Sequence, residues 1–161
     1  MPVIDFEGIA ADGDAEKIPD GYAGLNWDNF VALDDQFDDN FAPNSGISTV
    51  INSGEACAGN KLQGPAIFSS PDKRDDFDFN SGYFAASHSN DLALKIIAFD
   101  DGEKVAVKAI TLDREQKFVS FGSKFDDIDT VKIRASGGID ADQGDLGAGR
   151  FFTVDDLFLS F

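Results

Sequence analysis

The chain contains one cysteine, one histidine, one tryptophan, two tyrosines and one methionine in 161 residues. With Cys57 alone, an intrachain disulfide is excluded. With His88 alone, so is any multi-histidine metal centre. Basic residues are scarce as well: 13 Lys+Arg stand against 30 Asp+Glu, a formal net charge of −17. A nucleic-acid or anionic-membrane surface needs clustered Lys and Arg to neutralise phosphate, so neither partner is expected. No apolar run approaches the ~18 residues of a membrane-spanning helix, and membrane insertion is not expected. Met1–Phe6 has neither the basic nor the apolar region of a signal peptide and reads as a strand, so the chain is expected to be a mature or excised domain. The lone cysteine fits a reducing cytoplasm and equally a bacterial exterior where calcium replaces disulfides.

What is abundant is aspartate and phenylalanine. Of the acids, 25 are Asp and 5 are Glu. Glu would favour helical surfaces, whereas Asp favours turns, loops and oxygen-ligand metal sites. Sixteen Phe and a hydrophobic content of 42% supply a core for one domain spanning 1–161. Self-repulsion at this net charge favours a soluble monomer.

The periodicity is that of strands. Val3–Glu7 alternates, with Ile4 and Phe6 on one face and Asp5 and Glu7 on the other. Residues 8–24, with Gly8, Gly13, Gly21, Gly24 and Pro19, read as a long loop. Leu25–Leu33 reads as one strand with Leu25, Trp27, Asn29, Val31 and Leu33 sharing a face. Residues 34–46 read as an acidic loop, followed by short strands near 47–51, 55–58 and 64–69. Phe77–Ala85, Leu92–Phe99 and Lys104–Ile110 are the clearest strands, the last two joined by an Asp100-Asp101-Gly102 hairpin turn. Phe118–Phe121, Thr130–Ala135 and Phe151–Phe161 complete about nine or ten strands at the spacing of a sandwich. No sustained 3.6-residue apolar stripe occurs. The predicted fold is all-β: an antiparallel β-sandwich of jelly-roll type with very little helix.

Three segments carry a family resemblance. Ile4-Asp5-Phe6-Glu7-Gly8 with Ile18–Phe30, the central Phe77–Ala86, and the closing Phe152–Leu159 together resemble a family of secreted β-sandwich domains of bacteria and fungi, some with a PEP-CTERM sorting tail. A looser similarity is to galactose-binding-like jelly rolls, which include many carbohydrate-binding modules. These resemblances imply a sandwich, an extracellular or cell-surface location and a structural Ca²⁺ between the first and last strands. Asp5 and Glu7 stand about 6.6 Å apart along one strand face. Asp155 and Asp156 can approach them if the terminal strands are neighbours. Glu7 and Asp155 are the expected ligands, with Asp5 and Asp156 as auxiliaries; the alternative is that these acids form the wet face of an edge strand.

For a glycan, the amphipathic rings and amides are the candidates: Tyr22 in its Gly-rich loop, and Tyr83 with His88 and Asn90 around one predicted loop. Trp27 lies on an apolar strand face and reads as core. No Gly-x-Ser-x-Gly elbow is present to work with His88, and no catalytic motif stands out, so an enzyme is not expected. The reading is a noncatalytic extracellular module, carbohydrate-recognising, with structural calcium. Two alternatives stay open: an adhesive or structural surface domain without a small ligand, and a polysaccharide-active enzyme working through carboxylates.

Overall fold

The computed structural model describes residues 3–9, 15–34, 46–62, 64–72, 75–87, 89–140 and 150–161. Two antiparallel sheets pack face to face, as predicted. The larger sheet has seven strands: β1 (Val3–Ile4), β2 (Ala15–Lys17), β4 (Phe30–Asp34), β5 (Ala56–Asn60), β7 (Asp78–Ala86), β10 (Lys117–Ser120) and β12 (Phe152–Ser160). Their order is β10-β7-β12-β5-β4-β2, with β1 pairing β12 off this path. The five-stranded sheet runs β3 (Asn26–Asp28), β6 (Ala66–Ser69), β11 (Thr130–Asp140), β8 (Ser89–Asp100) and β9 (Glu103–Leu112). Successive strands repeatedly change sheet, so most pairings are long-range.

Alternation places the core. In β8 the buried Leu92, Leu94, Ile96 and Ala98 point inward and the residues between them outward. The rings of Phe6, Trp27, Phe30, Phe68, Phe79, Phe121 and Phe125 run through the interior as a chain of edge-on, tilted and stacked contacts; Phe79 and Phe121 stack at 4.1 Å. The Asp101-Gly102 turn joins β8 to β9 with both residues at positive φ, 49° and 81°, the type I′ geometry that matches strand twist.

Three local expectations are corrected. The segment read as a strand near 47–51 is the one-turn helix α1 (Gly46–Val50). Ile47 and Val50 are three residues apart, which puts them on one face of a helical turn and on opposite faces of a strand. Both are buried with Val31, Leu33, Cys57 and Ala85 in a second apolar cluster on the outer face of the larger sheet. Gly46 is required there, because a Cβ would collide with the carbonyl of Ala86.

The strand read across 25–33 breaks at Asn29 (φ 59°), and its halves join different sheets. Asn29 Nδ2 donates to the carbonyls of Leu62, Gly64 and Pro65 at 3.0–3.2 Å, and its Oδ1 accepts the Leu62 N–H at 2.8 Å. The side chain thereby holds a backbone corner. Past that corner the facing reverses: Phe30 and Ala32 join Trp27 in the main core, while Val31 and Leu33 face out beneath α1. Thirdly, the loop read over 8–24 contains the short strand β2, paired with β4. Residues 35–45, most of the acidic loop, lie outside the described residues. Among the described residues no helix is long and apolar enough to cross a membrane.

Candidate functional site

The ends of the chain meet on β12. Its first half pairs with β5 (Thr153↔Gly59, Val154↔Ala58) and its second half with β1 (Leu157↔Ile4, Phe158↔Val3). Between them the register against β7 shifts between Asp155 and Phe158, with Asp156 at φ 45°. This bulge lets Val154 and Leu157 both face the main core. It leaves Asp155 on the outer face, in register with Tyr83.

Asp155 is fully buried. Its Oδ2 accepts the backbone N–H groups of Asn52 (2.7 Å) and Ser53 (3.2 Å), while Oδ1 has no partner among the described residues. Burial pushes the carboxyl up to about 7, against the lowering effect of those amides. Asp156 binds the side chains of the same loop: Asn52 Nδ2 donates at 2.7 Å and Ser53 Oγ at 2.6 Å.

Glu7 holds the far end of that loop, where its Oε1 accepts the N–H groups of Glu55 (2.7 Å) and Ala56 (2.9 Å). The Glu7 N–H donates to Asp5 Oδ1 at 3.2 Å. Glu7 reaches the loop because Phe6, at φ 60°, ends β1 and drops its ring against Tyr22 and Trp27. Glu7, Asp155 and Asp156 therefore bind the loop over residues 52–56, and Asp5 accepts the Glu7 N–H. Glu7 and Asp155 grip the two ends of one loop.

The structure divides the expected glycan residues. Tyr22 is half-buried: its ring stacks on Phe6 at 6.1 Å and its carbonyl accepts Trp27 Nε1–H at 2.9 Å. Its hydroxyl is held above its ordinary value by burial and by the nearby Asp5, Glu7 and Asp155. Tyr83 is half-buried on the outer face, with Phe118 of β10 directly opposite and the rings 5.2 Å apart. Phe118 is 57% exposed. His88 lies outside the described residues.

Asn90 lines an open cleft of about 530 Å³ with Thr49, Asp91, Asp113, Arg114 and Glu115. The cleft wall is tied in place: the Asp91 N–H donates to Asp113 Oδ1 at 2.9 Å, Gln116 Nε2 donates to the Val50 carbonyl at 2.9 Å, and Thr49 Oγ1 donates to the Arg114 carbonyl. Five of these six cleft residues, all but Asn90, escaped the sequence reading. Asp113, Arg114 and Glu115 form a short polar link between two strands, and only the packing of that link against α1 makes it a wall.

A second acidic group was also missed. Among the described residues, carboxylate oxygens of Asp100, Asp101 and Asp129 all lie within 4.8 Å of one another. Asp100 and Asp101 were legible as a turn, but Asp129 comes to them only through the pairing of β8 with β11.

No protein-family model and no curated protein matches the chain. Solved structures do. A DUF4465 family protein from Bacteroides ovatus ATCC 8483 superposes with a TM-score of 0.56 at 11% identity, over 89% of this chain and 81% of that one. TmCBM61, solved in complex with beta-1,4-galactotriose, gives a TM-score of 0.41 at 14% identity, over 88% of this chain and 94% of that one. The first similarity is one of fold and agrees with the sandwich.

Proposed function

We propose that this chain is a noncatalytic glycan-binding module that works outside the cell, its two ends pinned by a structural Ca²⁺. The observation that carries the reading is the pairing of an exposed aromatic with a polar cleft. Phe118 is an exposed residue whose ring contacts Tyr83, and it follows the cleft residue Glu115 by three positions in the chain. A sugar ring presents an apolar C–H face and a rim of hydroxyls. An aromatic face suits the former; the amide of Asn90, the carboxylates of Asp91, Asp113 and Glu115 and the guanidinium of Arg114 suit the latter. The open shape suits a polysaccharide passing through over a small molecule enclosed on all sides. The extracellular setting rests on the resemblance to secreted sandwich domains.

The calcium assignment rests on donor chemistry. Glu7, Asp155 and Asp156 present carboxylate oxygens at the loop over residues 52–56, hard donors that suit Ca²⁺. Asp155 Oδ1 is buried without a partner, the condition a cation would relieve. Asp155 and Glu7 would be ligands. Asp5 would assist, while Asp156 is largely committed to Asn52 and Ser53.

The reading is tested by a polysaccharide pull-down and glycan array with wild-type, Phe118→Ala and Asn90→Ala proteins. Retention of a glycan without product release, weakened in both variants, is the expected result. Released product would make the chain an enzyme acting through its cleft carboxylates. Silence on every glycan would favour an adhesive or structural surface domain.

A further inference from the structure

We propose that Asp100, Asp101 and Asp129, together with Ser70, form a binding site for a divalent cation of the calcium class, separate from the Glu7–Asp155 pair. The site stands at one end of the five-stranded sheet. Asp100 ends β8 and Asp101 begins the hairpin turn into β9; Asp129 immediately precedes β11, and Ser70 immediately follows β6. One oxygen from each of the three carboxylates falls within 4.8 Å of the others, close enough to share an ion. Asp129, the deepest at 1% exposed, is already oriented: its Oδ2 accepts the Asp101 N–H at 2.8 Å and its Oδ1 accepts the Thr130 hydroxyl at 2.6 Å.

Three acids together are an ordinary surface feature of a chain this acidic, and Ser70 is what sets them apart. The Ser70 N–H donates to the Asp129 carbonyl at 2.9 Å, which carries the β6–β11 register one step past Ser69↔Thr130. Residues directly opposed in an antiparallel pair project to the same face, with Cβ atoms about 4.5–5.5 Å apart. Strand alternation gives that face independently: Ala66 and Phe68 lead to Ser70, Ile133 and Val131 to Asp129, and all six residues are buried. Ser70 is 3% exposed, and its Oγ has no hydrogen-bond partner among the described residues. A buried hydroxyl is rarely left unpaired. Its place opposite Asp129 puts this one on the side of the carboxylate trio, where it would serve as a neutral oxygen ligand.

The composition of the group fits the ion. Calcium takes 6–8 oxygens in irregular arrangements, so three carboxylates and a hydroxyl leave places for water. Asp101 is exposed and Asp100 half-buried, which provides the entrance. Asp76 and Asp127 add further negative charge around Asp100, whose carboxyl is held above its ordinary value by desolvation and by these neighbours. A cation here would clamp the β8–β9 hairpin to the start of β11 and the end of β6. The inference is independent of glycan binding.

The test titrates Ca²⁺ calorimetrically into metal-free Asp155→Asn protein, in which the terminal-strand site is disabled. One ion per chain is expected, in or below the range of about 10⁻⁴–10⁻³ M seen for extracellular modules. Adding Asp101→Asn, at an exposed position that does not threaten folding, should weaken it by at least about tenfold. Adding Ser70→Ala should also weaken it while leaving the metal-free melting temperature unchanged or higher, because an unpaired buried hydroxyl is removed. A folded Asp155→Asn protein that takes up no Ca²⁺ overturns the proposal. So does an isotherm that neither Asp101→Asn nor Ser70→Ala alters.

Discussion

The carboxylate of Glu7 occupies the space that a Cβ on Gly54 would need. Gly54 also stands at φ 66°, so its lack of a side chain serves both the turn and the acid packed on it. Gly54→Ala should therefore displace Glu7 from the Glu55 and Ala56 amides as well as strain the backbone, a loss of about 1–3 kcal/mol for the strain alone. Gly102→Ala is the control, with positive φ but nothing within 4 Å of the added methyl. Equal destabilisation of the two in urea would show that the Glu7 contact contributes nothing.

Asp155 makes the metal-free protein pH-sensitive in an uncommon direction. Its carboxyl is raised to about 7 in the folded chain from an ordinary 3.8, so between those values the native state keeps a proton that the unfolded state has released. The associated stability is complete below the unfolded value and disappears as pH rises through the folded one. In EDTA, the melting temperature of wild type relative to Asp155→Asn should fall from about pH 4 to about pH 7 and level off above. A difference that stays constant across that window would show that Asp155 titrates normally.

Calcium should reverse that trend, since the ion must displace the Asp155 proton and binds better as pH rises. An ion held only by the folded state at about 100–1,000 times its dissociation constant stabilises by roughly 2.7–4.1 kcal/mol. EDTA should thus lower the melting temperature by several degrees, and calcium should restore it better than magnesium, which tolerates irregular oxygen cages poorly. Glu7→Gln and Asp155→Asn should each remove the part of this response that depends on the chain ends. Variants whose response to calcium equals that of wild type would exclude these two residues as ligands.

The aromatic residues separate by depth. Phe118→Ala, at an exposed ring, should change stability by less than about 0.5 kcal/mol. Phe79→Ala, whose fully buried ring stacks on Phe121, should cost about 3–5 kcal/mol. Tyr22→Ala should fall between them, because its ring packs on Phe6 and Trp27 and is no free stacking platform. Chemical denaturation of the three variants checks the order. A Tyr22→Ala protein as stable as wild type would return that ring to the surface.

Much of the fold was legible because β-structure writes itself locally. The two-residue alternation of Leu92, Leu94, Ile96 and Ala98 needs only its own segment to identify an inward face, and Asp101-Gly102 needs only its own backbone preferences to make a turn. The same alternation misled where the chain departs from an ideal strand. Period alone gives Val31 and Leu33 the facing of Trp27, because the corner at Asn29 depends on the carbonyls of Leu62, Gly64 and Pro65, far along the chain. Period alone gives Ile47 to a strand, because its helical turn is selected by an apolar patch on a sheet that residues 46–50 do not themselves form.

The sites divide along the same line. By itself the sequence determined the supply: an excess of short carboxylates, one histidine, and a few amphipathic rings, which together favour oxygen-ligand chemistry and exclude histidine-metal centres. It also pointed to Glu7 and Asp155, through resemblance. Only tertiary structure decided that Asp155 is buried with an unpartnered oxygen, because that required a bulge in β12 and a loop from residues 52–55 laid across it. Tertiary structure alone also joined Asp129 to Asp100 and Asp101, and packed residues 113–115 against α1 to form the cleft wall. Burial and cross-strand proximity are properties of pairs of distant segments, whereas composition and period belong to one segment at a time.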